Sequence, residues 1–157
     1  MNAGAMEIRE ATEADLQSVV LMLADDHLGR QREAPGDPAY LRAFRAMTAQ
    51  GGNHLFVGVI NGGVMNEGVA ACAQLIFQPG LSRTGSLRAT VEGVRVASAL
   101  RGRGLGEQII RHCIQHARMG GAALVQLTSD MSRTDAHRFY KRLGFDVTSL
   151  GMKLMLC

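Results

Sequence analysis

The clearest chemical signal in the sequence comes from a short stretch rich in glycine and arginine, residues 101–106, which we call the glycine–arginine loop. It consists of Arg101, Gly102, Arg103, Gly104, Leu105 and Gly106. The glycines occur at every second position and leave backbone N–H groups free of side-chain cover, while the arginines add positive charge. An amphipathic helix is predicted to begin at Leu105, and the N-terminus of a helix carries about half a positive charge. These features indicate an anion-binding site with a diphosphate as the expected ligand, and a glycine-rich surface turn is the alternative.

The spacing of the glycines differs from two common phosphate-binding motifs. The dinucleotide motif requires Gly-x-Gly-x-x-Gly and an acidic residue about 20 positions later. This chain has Gly-x-Gly-x-Gly, and no acidic residue ends a strand at the required distance. The nucleotide P-loop requires lysine and then serine or threonine after its last glycine, but Gly106 is followed by Glu107 and Gln108. The spacing that is present is Arg-x-x-Gly-x-Gly.

A second motif lies on a predicted helix, one strand further along the chain. Residues 136–145 have the form Ala-x-x-Phe-Tyr-x-x-x-Gly-Phe and include Tyr140. With the glycine–arginine loop before it, in this order and at this separation, the chain resembles the GNAT superfamily of N-acetyltransferases over nearly its whole length. The resemblance implies an α/β (α+β) GNAT fold, with a mixed, strongly twisted and mostly antiparallel sheet of about six or seven strands. It also implies a splay between the two central parallel strands and helices on both faces.

The hydrophobic pattern predicts the elements that position these motifs. Strands are predicted over residues 7–11, 54–60, 69–77, 87–96, 122–128, 145–149 and 152–156. Helices are predicted over residues 12–25, 38–50, 105–119 and 135–143. A hairpin turn is predicted at residues 61–63, where Asn-Gly-Gly follows an apolar run. The alternation of strands and helices from residue 87 onward indicates an α/β layer architecture, within a single domain of residues 1–157.

The composition is that of an ordinary soluble globular domain. Hydrophobic residues make up 46% of the chain and charged residues 20%, and no apolar run approaches the roughly 20 residues of a membrane span. The net charge of +3 suits an anionic cofactor, but the chain lacks the basic stripe of a nucleic-acid binder. Three widely separated cysteines and an N-terminus without the features of a secretory signal favour a cytoplasmic location. We therefore expect neither nucleic acid nor a membrane as a partner.

The family resemblance implies acetyl-CoA as the co-substrate and assigns most of its contacts to backbone groups. The implied cofactor-binding residues are Val94, Arg95, Val96, Arg101, Gly102, Arg103, Gly104, Leu105, Gly106 and Arg133. Val94 and Val96 would bond to the pantetheine amides as an added strand would, and the glycine–arginine loop would hold the pyrophosphate. Arg133 stands where many relatives have an asparagine, so it would either reach a phosphate of CoA or be solvated.

Two side chains are implied in catalysis. Tyr140 matches the family tyrosine that protonates the departing CoA thiolate, a role that suits a phenol because it is neutral at pH 7 and can donate a proton. The alternative is a helix tyrosine whose hydroxyl lies in water. Glu92 is the candidate base, because strand alternation predicts it on the face of Val94 and Val96 and the family often has a carboxylate there. Its alternative is a structural ion pair with an arginine such as Arg88.

The acceptor is expected to be a primary amine. A small molecule is favoured over a protein amine, because the short final strands leave no long insertion to close a peptide groove. The acceptor would enter from the side of the first two helices, where Asp25, Asp26 or Glu33 either meets a cationic substrate or is solvated. A non-catalytic acyl-CoA sensor is the alternative function. No metal site is expected, since His112 and His116 share a helical face but lack a third ligand, and the resemblance also suggests a homodimer.

Overall fold

A five-stranded sheet forms the centre of the computed structural model, which describes residues 5–60 and 68–156. The strands are β1 (Met6–Glu10), β2 (Asn53–Ile60), β3 (Gly68–Gln78), β4 (Arg88–Val96) and β5 (Leu124–Leu127). They lie side by side in chain order; β1 to β4 are antiparallel neighbours, and β5 is parallel to β4. The hairpin turn predicted at residues 61–63 lies outside the described residues.

Helices cover both faces of this sheet, as the sequence predicted. They are α1 (Leu16–Ala24), α2 (Gly29–Arg32), α3 (Ala39–Gln50), the single turn α4 (Ser82–Gly85), α5 (Leu105–Met119) and α6 (Thr134–Arg142). A short turn precedes α1, and Asp15 closes it by accepting the N–H of Thr12 at 2.7 Å and pairing with Arg9 at 2.7 Å. In the ranges that the structure describes, no helix is both long and apolar enough to cross a bilayer.

Two hydrophobic clusters define the two faces of the sheet. The cluster on the α5 face is built around Leu75, Val91, Ile109, Ile110 and Cys113. The cluster on the α1 face is built around Val19, Met22, Val57 and Cys72. Burying an aliphatic side chain of this size contributes roughly 1.5–3 kcal/mol, so α1 and α5 are fixed on opposite sides of the central strands.

A bulge at Gly93 interrupts the regular alternation of side chains along β4. Gln74 of β3 lies opposite Glu92, whereas Cys72 lies opposite Arg95, so β4 has one residue more than β3 across this interval. Gly93 has a φ of 59°, a left-handed conformation that glycine adopts at little steric cost. The extra residue reverses the order in which the following side chains point to the two faces.

The bulge corrects one prediction made from the sequence. Directly opposed residues of an antiparallel pair share a face, so Glu92 and Arg95 lie on the α1 face with Cys72. Val94 and Val96 instead pack against the cluster on the α5 face. The prediction that Glu92 shares a face with these two valines is therefore wrong, because it extended a period of two across an irregular residue.

The two parallel strands separate after a short paired stretch. Their pairing runs from Arg88 opposite Leu124 to Val91 opposite Leu127, where β5 ends. β4 continues to Val96, so its last residues have an open edge on the side of β5. This open edge of β4 is where the splay between the parallel strands was predicted.

The chain after α6 is irregular and exposed. Strands predicted over residues 145–149 and 152–156 are wrong, since these residues have no regular secondary structure. Apolar side chains there, such as Val147, Met152 and Leu154, are almost fully exposed. A strand needs a neighbour to bond its backbone, and these segments pair with no other described strand. The sheet therefore has five strands within the described residues, rather than six or seven.

Candidate active site

The glycine–arginine loop connects β4 to α5 and ends at the N-terminus of α5. Gly102 and Gly104 both have a φ of 77°, in the left-handed region that favours glycine. A Cβ added at either position would have no heavy atom within 4 Å, so the space beside both glycines is open. Leu105 is only 2% exposed and anchors the first turn of α5 in the core. The loop thus combines a fixed start of the helix with free space beside its backbone.

The backbone amides at this start of α5 lack acceptors among the described residues. The first amide to bond is that of Gln108, which donates to the carbonyl of Gly104 at 3.1 Å. Within the described residues, the N–H groups from Gly102 to Glu107 donate to no other group. The N-cap residue is a glycine without a capping side chain, so the unpaired donors of the first helical turn stay available. They form the strongest candidate anion site on the backbone.

The two arginines of the loop have different environments. Arg101 donates from Nε to the carbonyl of Val96 and from Nη2 to the carbonyl of Asp25, each at 3.3 Å. Its guanidinium also lies 3.9 Å from the Asp25 carboxylate, so it links the loop to the ends of β4 and α1. Arg103 is exposed and forms neither an ion pair nor a hydrogen bond in the part of the chain that the structure describes.

The open edge of β4 presents the backbone of Val94 and Val96. Ala97 donates its N–H to the carbonyl of Ala70 on β3 at 2.8 Å. Because alternate residues of a strand bond in opposite directions, the backbone groups of Val96 and Val94 point away from β3, towards the splay. The carbonyl of Val94 accepts a hydrogen bond at 2.9 Å from Nη1 of Arg95. A strip of backbone polar groups therefore leads from the splay to the glycine–arginine loop.

Tyr140 lies on α6 with its ring packed among aromatic side chains. Its ring centroid is 5.1 Å from that of Phe139 and 5.8 Å from that of Phe145. The hydroxyl makes no hydrogen bond with a described residue, yet it is not fully buried. Burial raises the pKa of Tyr140 above the ordinary value of 10.0, and the charges of Arg95 and Arg133 only partly offset this effect. The hydroxyl is therefore protonated at neutral pH and free to donate.

Glu92 lies exposed on the α1 face, immediately before the bulge. The ion pair with Arg88 that the sequence left open does not form, and Glu92 contacts no other cation among the described residues. Its carboxylate is thus open to solvent on the side of the sheet where α1 and α2 lie.

Asp26 joins two arginines that are far apart in the sequence. Its Oδ2 lies 3.3 Å from Nη2 of Arg95 and accepts a hydrogen bond from Nη2 of Arg133, 107 residues further along the chain. Its Oδ1 accepts the N–H of Gly29. The side chain of Arg95 is 14% exposed and that of Asp26 is 19% exposed. We call Asp26, Arg95 and Arg133 the arginine cluster.

The charges within the arginine cluster determine the ionisation of Asp26. Burial by itself would raise the pKa of this carboxyl, but hydrogen bonds from Gly29 and Arg133 and the charges of both arginines lower it overall. Asp26 is therefore ionised at neutral pH. Arg95 and Arg133 were expected from the sequence only as contacts of the cofactor, and no local pattern indicates that both would meet Asp26.

The three carboxylates considered as ligands for a cationic substrate all have partners in the protein. Asp25 lies beside Arg101, and Glu33 accepts the hydroxyl of Tyr40 at 2.8 Å. Asp26, the third, is surrounded by two guanidinium groups. Neither of the alternatives left open by the sequence, contact with a cationic substrate or simple solvation, describes Asp26, whose group with Arg95 and Arg133 carries a net positive charge.

The histidines of α5 lie in an aromatic cluster on the α5 face. The ring centroid of Phe56 is 4.6 Å from that of His112 and 5.0 Å from that of His116. Burial lowers the pKa of both histidines, which favours their neutral form. No group of three or more His, Cys, Asp or Glu side chains is arranged to hold a metal ion within the described ranges.

Comparison with protein families gives one match that covers most of the chain. The model of the Acetyltransferase (GNAT) family matches residues 20–145. Glucosamine 6-phosphate N-acetyltransferase 1 of Oryza sativa subsp. japonica is 34% identical over 125 residues, which cover 77% of this chain and 73% of that protein. Aminoalkylphosphonate N-acetyltransferase of Salmonella typhimurium is 36% identical over 55 residues, which cover 35% of this chain and 36% of that enzyme.

A solved structure with the same fold is more similar in sequence. The crystal structure of a transcriptional regulator from Bacillus halodurans C-125 shares 44% sequence identity with this chain and superposes with a TM-score of 0.89. The match covers 97% of this chain and 100% of that one. Neither protein is interrupted by a large insertion relative to the other.

Proposed function

The chain belongs to the acetyltransferase (GNAT) family, as its two motifs predicted, and on this basis we propose that it acetylates the primary amine of a small molecule. Membership of the family and the named relatives make it an acetyl-CoA-dependent N-acetyltransferase. The observation that carries the proposal is the row of unpaired amides from Gly102 to Glu107, next to the open edge of β4. No other part of the described chain offers so many free backbone donors at a helix N-terminus.

Acetyl-CoA is proposed to bind along this strip of backbone. The amides of the glycine–arginine loop would hold the pyrophosphate, supported by the dipole of α5 and by the charges of Arg101 and Arg103. The N–H groups of Val94 and Val96 would bond to the pantetheine arm in the splay, while their carbonyls already accept hydrogen bonds from Arg95 and Arg101. The fit is favourable because the space beside Gly102 and Gly104 is open and the amides have no competing acceptor.

Tyr140 is proposed as the general acid. The amine nitrogen attacks the thioester carbonyl carbon, so that an N–C bond forms while the C–S bond breaks. The Tyr140 hydroxyl then donates its proton to the departing sulfur, and its raised pKa keeps that proton in place until the thiolate forms. The newly bonded nitrogen releases its second proton to solvent, and solvent returns a proton to the Tyr140 phenolate, so that the amide, free CoA and the neutral tyrosine are left. The N–H of Val94, at the open edge of β4, would polarise the carbonyl oxygen during the attack.

Glu92 is proposed to remove the proton of the amine, directly or through a water molecule. An ammonium group has no lone pair and must lose a proton before it can attack. Glu92 lies on the α1 face, from which the acceptor is proposed to enter, and its carboxylate is exposed and without a cationic partner in the described residues. A small acceptor is favoured because both named acetyltransferase relatives act on small amines.

The role of Tyr140 can be tested against the second tyrosine of the chain. Tyr140→Phe should lower kcat for CoA release by about 100-fold, the usual contribution of a positioned general acid, while the Kd for acetyl-CoA stays nearly unchanged. Tyr40→Phe is the matched control, because the Tyr40 hydroxyl contacts Glu33 and the N–H of Ala34 instead. Thiol release across an amine panel gives kcat, and isothermal titration gives Kd. Equal kcat values for the two variants would contradict the proposed acid.

A non-catalytic acyl-CoA-binding module is the second candidate function. It is favoured by one observation: the solved structure that shares 44% identity with this chain is that of a transcriptional regulator. Such a module would bind acetyl-CoA at the same loop, but it would release no CoA with any amine of the panel. Turnover that depends on Tyr140 would exclude it.

A further inference from the structure

We propose that the acceptor amine carries a phosphate or phosphonate group and that Arg95 and Arg133, held together by Asp26, bind this group. The inference rests on the proposed function and specifies the substrate class of the same site. It follows from the positions, the charge and the free donors of the arginine cluster.

The positions of the two arginines are fixed by the fold. Arg95 extends from β4 just after the bulge, on the α1 face, and Arg133 lies at the N-cap of α6. Asp26 follows α1 and contacts both, so three separate elements meet at one carboxylate. This face is opposite to the one that α5 covers, so the cluster lies on the acceptor side of the sheet.

No described residue balances the net positive charge of the cluster. Two guanidinium groups share one carboxylate, and both oxygens of Asp26 are already engaged, Oδ1 with the N–H of Gly29. Arg32 lies near enough to add a further positive charge to the field at Arg95. An excess of positive charge in a largely buried place is unfavourable unless an anion joins it. The acceptor is the reactant that this face is positioned to receive.

The guanidinium groups of the cluster also have N–H donors without hydrogen-bond partners among the described residues. A guanidinium has five N–H donors, and the Nε of Arg95 is buried without any hydrogen-bond partner. Arg133 donates from Nη2 to Asp26, and its other N–H donors form no hydrogen bond with a described residue. The planar fork of arginine matches the oxygens of a phosphoryl group and binds it more specifically than a lysine would.

The cluster lies close to the reacting groups. The charges of Arg95 and Arg133 both act on the Tyr140 hydroxyl, and Glu92 is on the same face of β4 as Arg95. A phosphoryl group bound between the arginines would thus hold the amine on the face of β4 that carries Glu92, the proposed base. Because binding of the remote anionic group orients the amine, phosphorylated acceptors should have a higher kcat/KM than neutral ones.

The test compares amines that differ only in the anionic group. Wild-type protein should acetylate 2-aminoethylphosphonate and glucosamine 6-phosphate with a far higher kcat/KM than propylamine and glucosamine. Arg133→Gln should lower this preference by about 10- to 100-fold, as expected for one charge-assisted contact, and Arg133→Lys should restore part of it. Arg138→Gln is the matched control, since Arg138 is an exposed arginine of α6 paired with Asp135, and it should leave the preference unchanged.

Each other outcome decides against one specific part of the proposal. If neutral amines react as fast as their phosphorylated counterparts, the inference fails while the acetyltransferase function stands. If β-alanine is preferred to 2-aminoethylphosphonate, the phosphoryl assignment fails. If Arg133→Gln weakens acetyl-CoA binding as strongly as it weakens acceptor use, Arg133 binds CoA instead. If no amine releases CoA, the proposed function fails. The anion site can then be tested alone by titrating the wild type and Arg133→Gln with methylphosphonate. Equal affinities of the two proteins for methylphosphonate would refute the anion site.

Discussion

The glycine–arginine loop and the arginine cluster are both basic, but the chain builds them in different ways. The loop is six consecutive residues whose backbone amides are the donors, and its shape is set locally by two left-handed glycines and the start of α5. The arginine cluster uses side chains from three elements, and its central ion pair joins residues 107 positions apart. Ligand binding at the glycine–arginine loop should therefore tolerate the loss of a side chain but not the replacement of a glycine. The arginine cluster should be sensitive to the loss of a single charge.

The largest effect is expected from removing the carboxylate at the centre of the arginine cluster. Asp26→Asn keeps the shape but leaves two guanidinium groups facing each other, one of them largely buried. We expect a loss of about 2 kcal/mol in the free energy of unfolding, less than the range for a fully buried pair. Denaturant unfolding followed by circular dichroism measures it. Asp135→Asn breaks an exposed pair on α6 and should have little effect; equal losses in the two variants would refute the special role of Asp26.

Asp26→Asn should also change how the free energy of unfolding depends on pH. Because the pKa of Asp26 is lowered in the fold, its ionised form stabilises the protein above the ordinary pKa of about 4. This contribution is lost as the pH falls through the lower folded pKa. The difference in unfolding free energy between wild type and Asp26→Asn should therefore shrink below about pH 4. A difference that stays constant down to pH 2.5 or so would show that the charge of Asp26 is not responsible.

A smaller effect is expected from a single Cβ in the loop. Gly104→Ala puts a methyl group beside the amides and should weaken acetyl-CoA binding about tenfold, the value of one lost charge-assisted hydrogen bond. Gly121→Ala, at the other end of α5, is matched for strain because Gly121 has a φ of 82° and equally open surroundings. Both should destabilise the fold by about 1 kcal/mol, but only Gly104→Ala should alter the Kd by isothermal titration. Equal Kd values would contradict the backbone site.

The smallest effect is expected from the free arginine of the loop. Arg103→Ala removes an exposed charge without protein partners in the described chain, so it should weaken acetyl-CoA binding about threefold at low salt. The effect should vanish near 1 M salt, where the Debye length is about 3 Å. Arg118→Ala, near the far end of α5, should have no effect at either salt concentration. A salt-independent loss would mean that Arg103 binds by geometry rather than by charge.

The parts that were predictable from the sequence depend on neighbouring residues. The loop, the helix that follows it and the strand before it were predicted because the glycine spacing and apolar periods are local properties of the chain. The strands of the central sheet were predicted for the same reason, and the splay followed from the family resemblance. Tyr140 was found through a contiguous motif on α6.

The errors concern contacts that the fold alone determines. The face of Glu92 depends on a bulge that the pairing of β4 with β3 imposes at Gly93, and a period of two cannot reveal it. The final segment has an apolar pattern typical of strands but no neighbour to pair with. For Asp26 the sequence left contact with a cationic substrate or solvation open, and its two arginine partners could not be foreseen because they are remote in sequence. The glycine directly after Glu92, inside a predicted strand, is a signal that could have indicated the bulge.

The proposed binding of acetyl-CoA is best tested by a crystal structure of the complex. We expect the pyrophosphate oxygens to lie within hydrogen-bond distance of the amides between Gly102 and Glu107. We also expect the pantetheine to lie along Val94 and Val96, with the thioester sulfur next to the Tyr140 hydroxyl. A complex in which acetyl-CoA binds elsewhere, or in which the sulfur lies out of reach of Tyr140, would refute the proposed site.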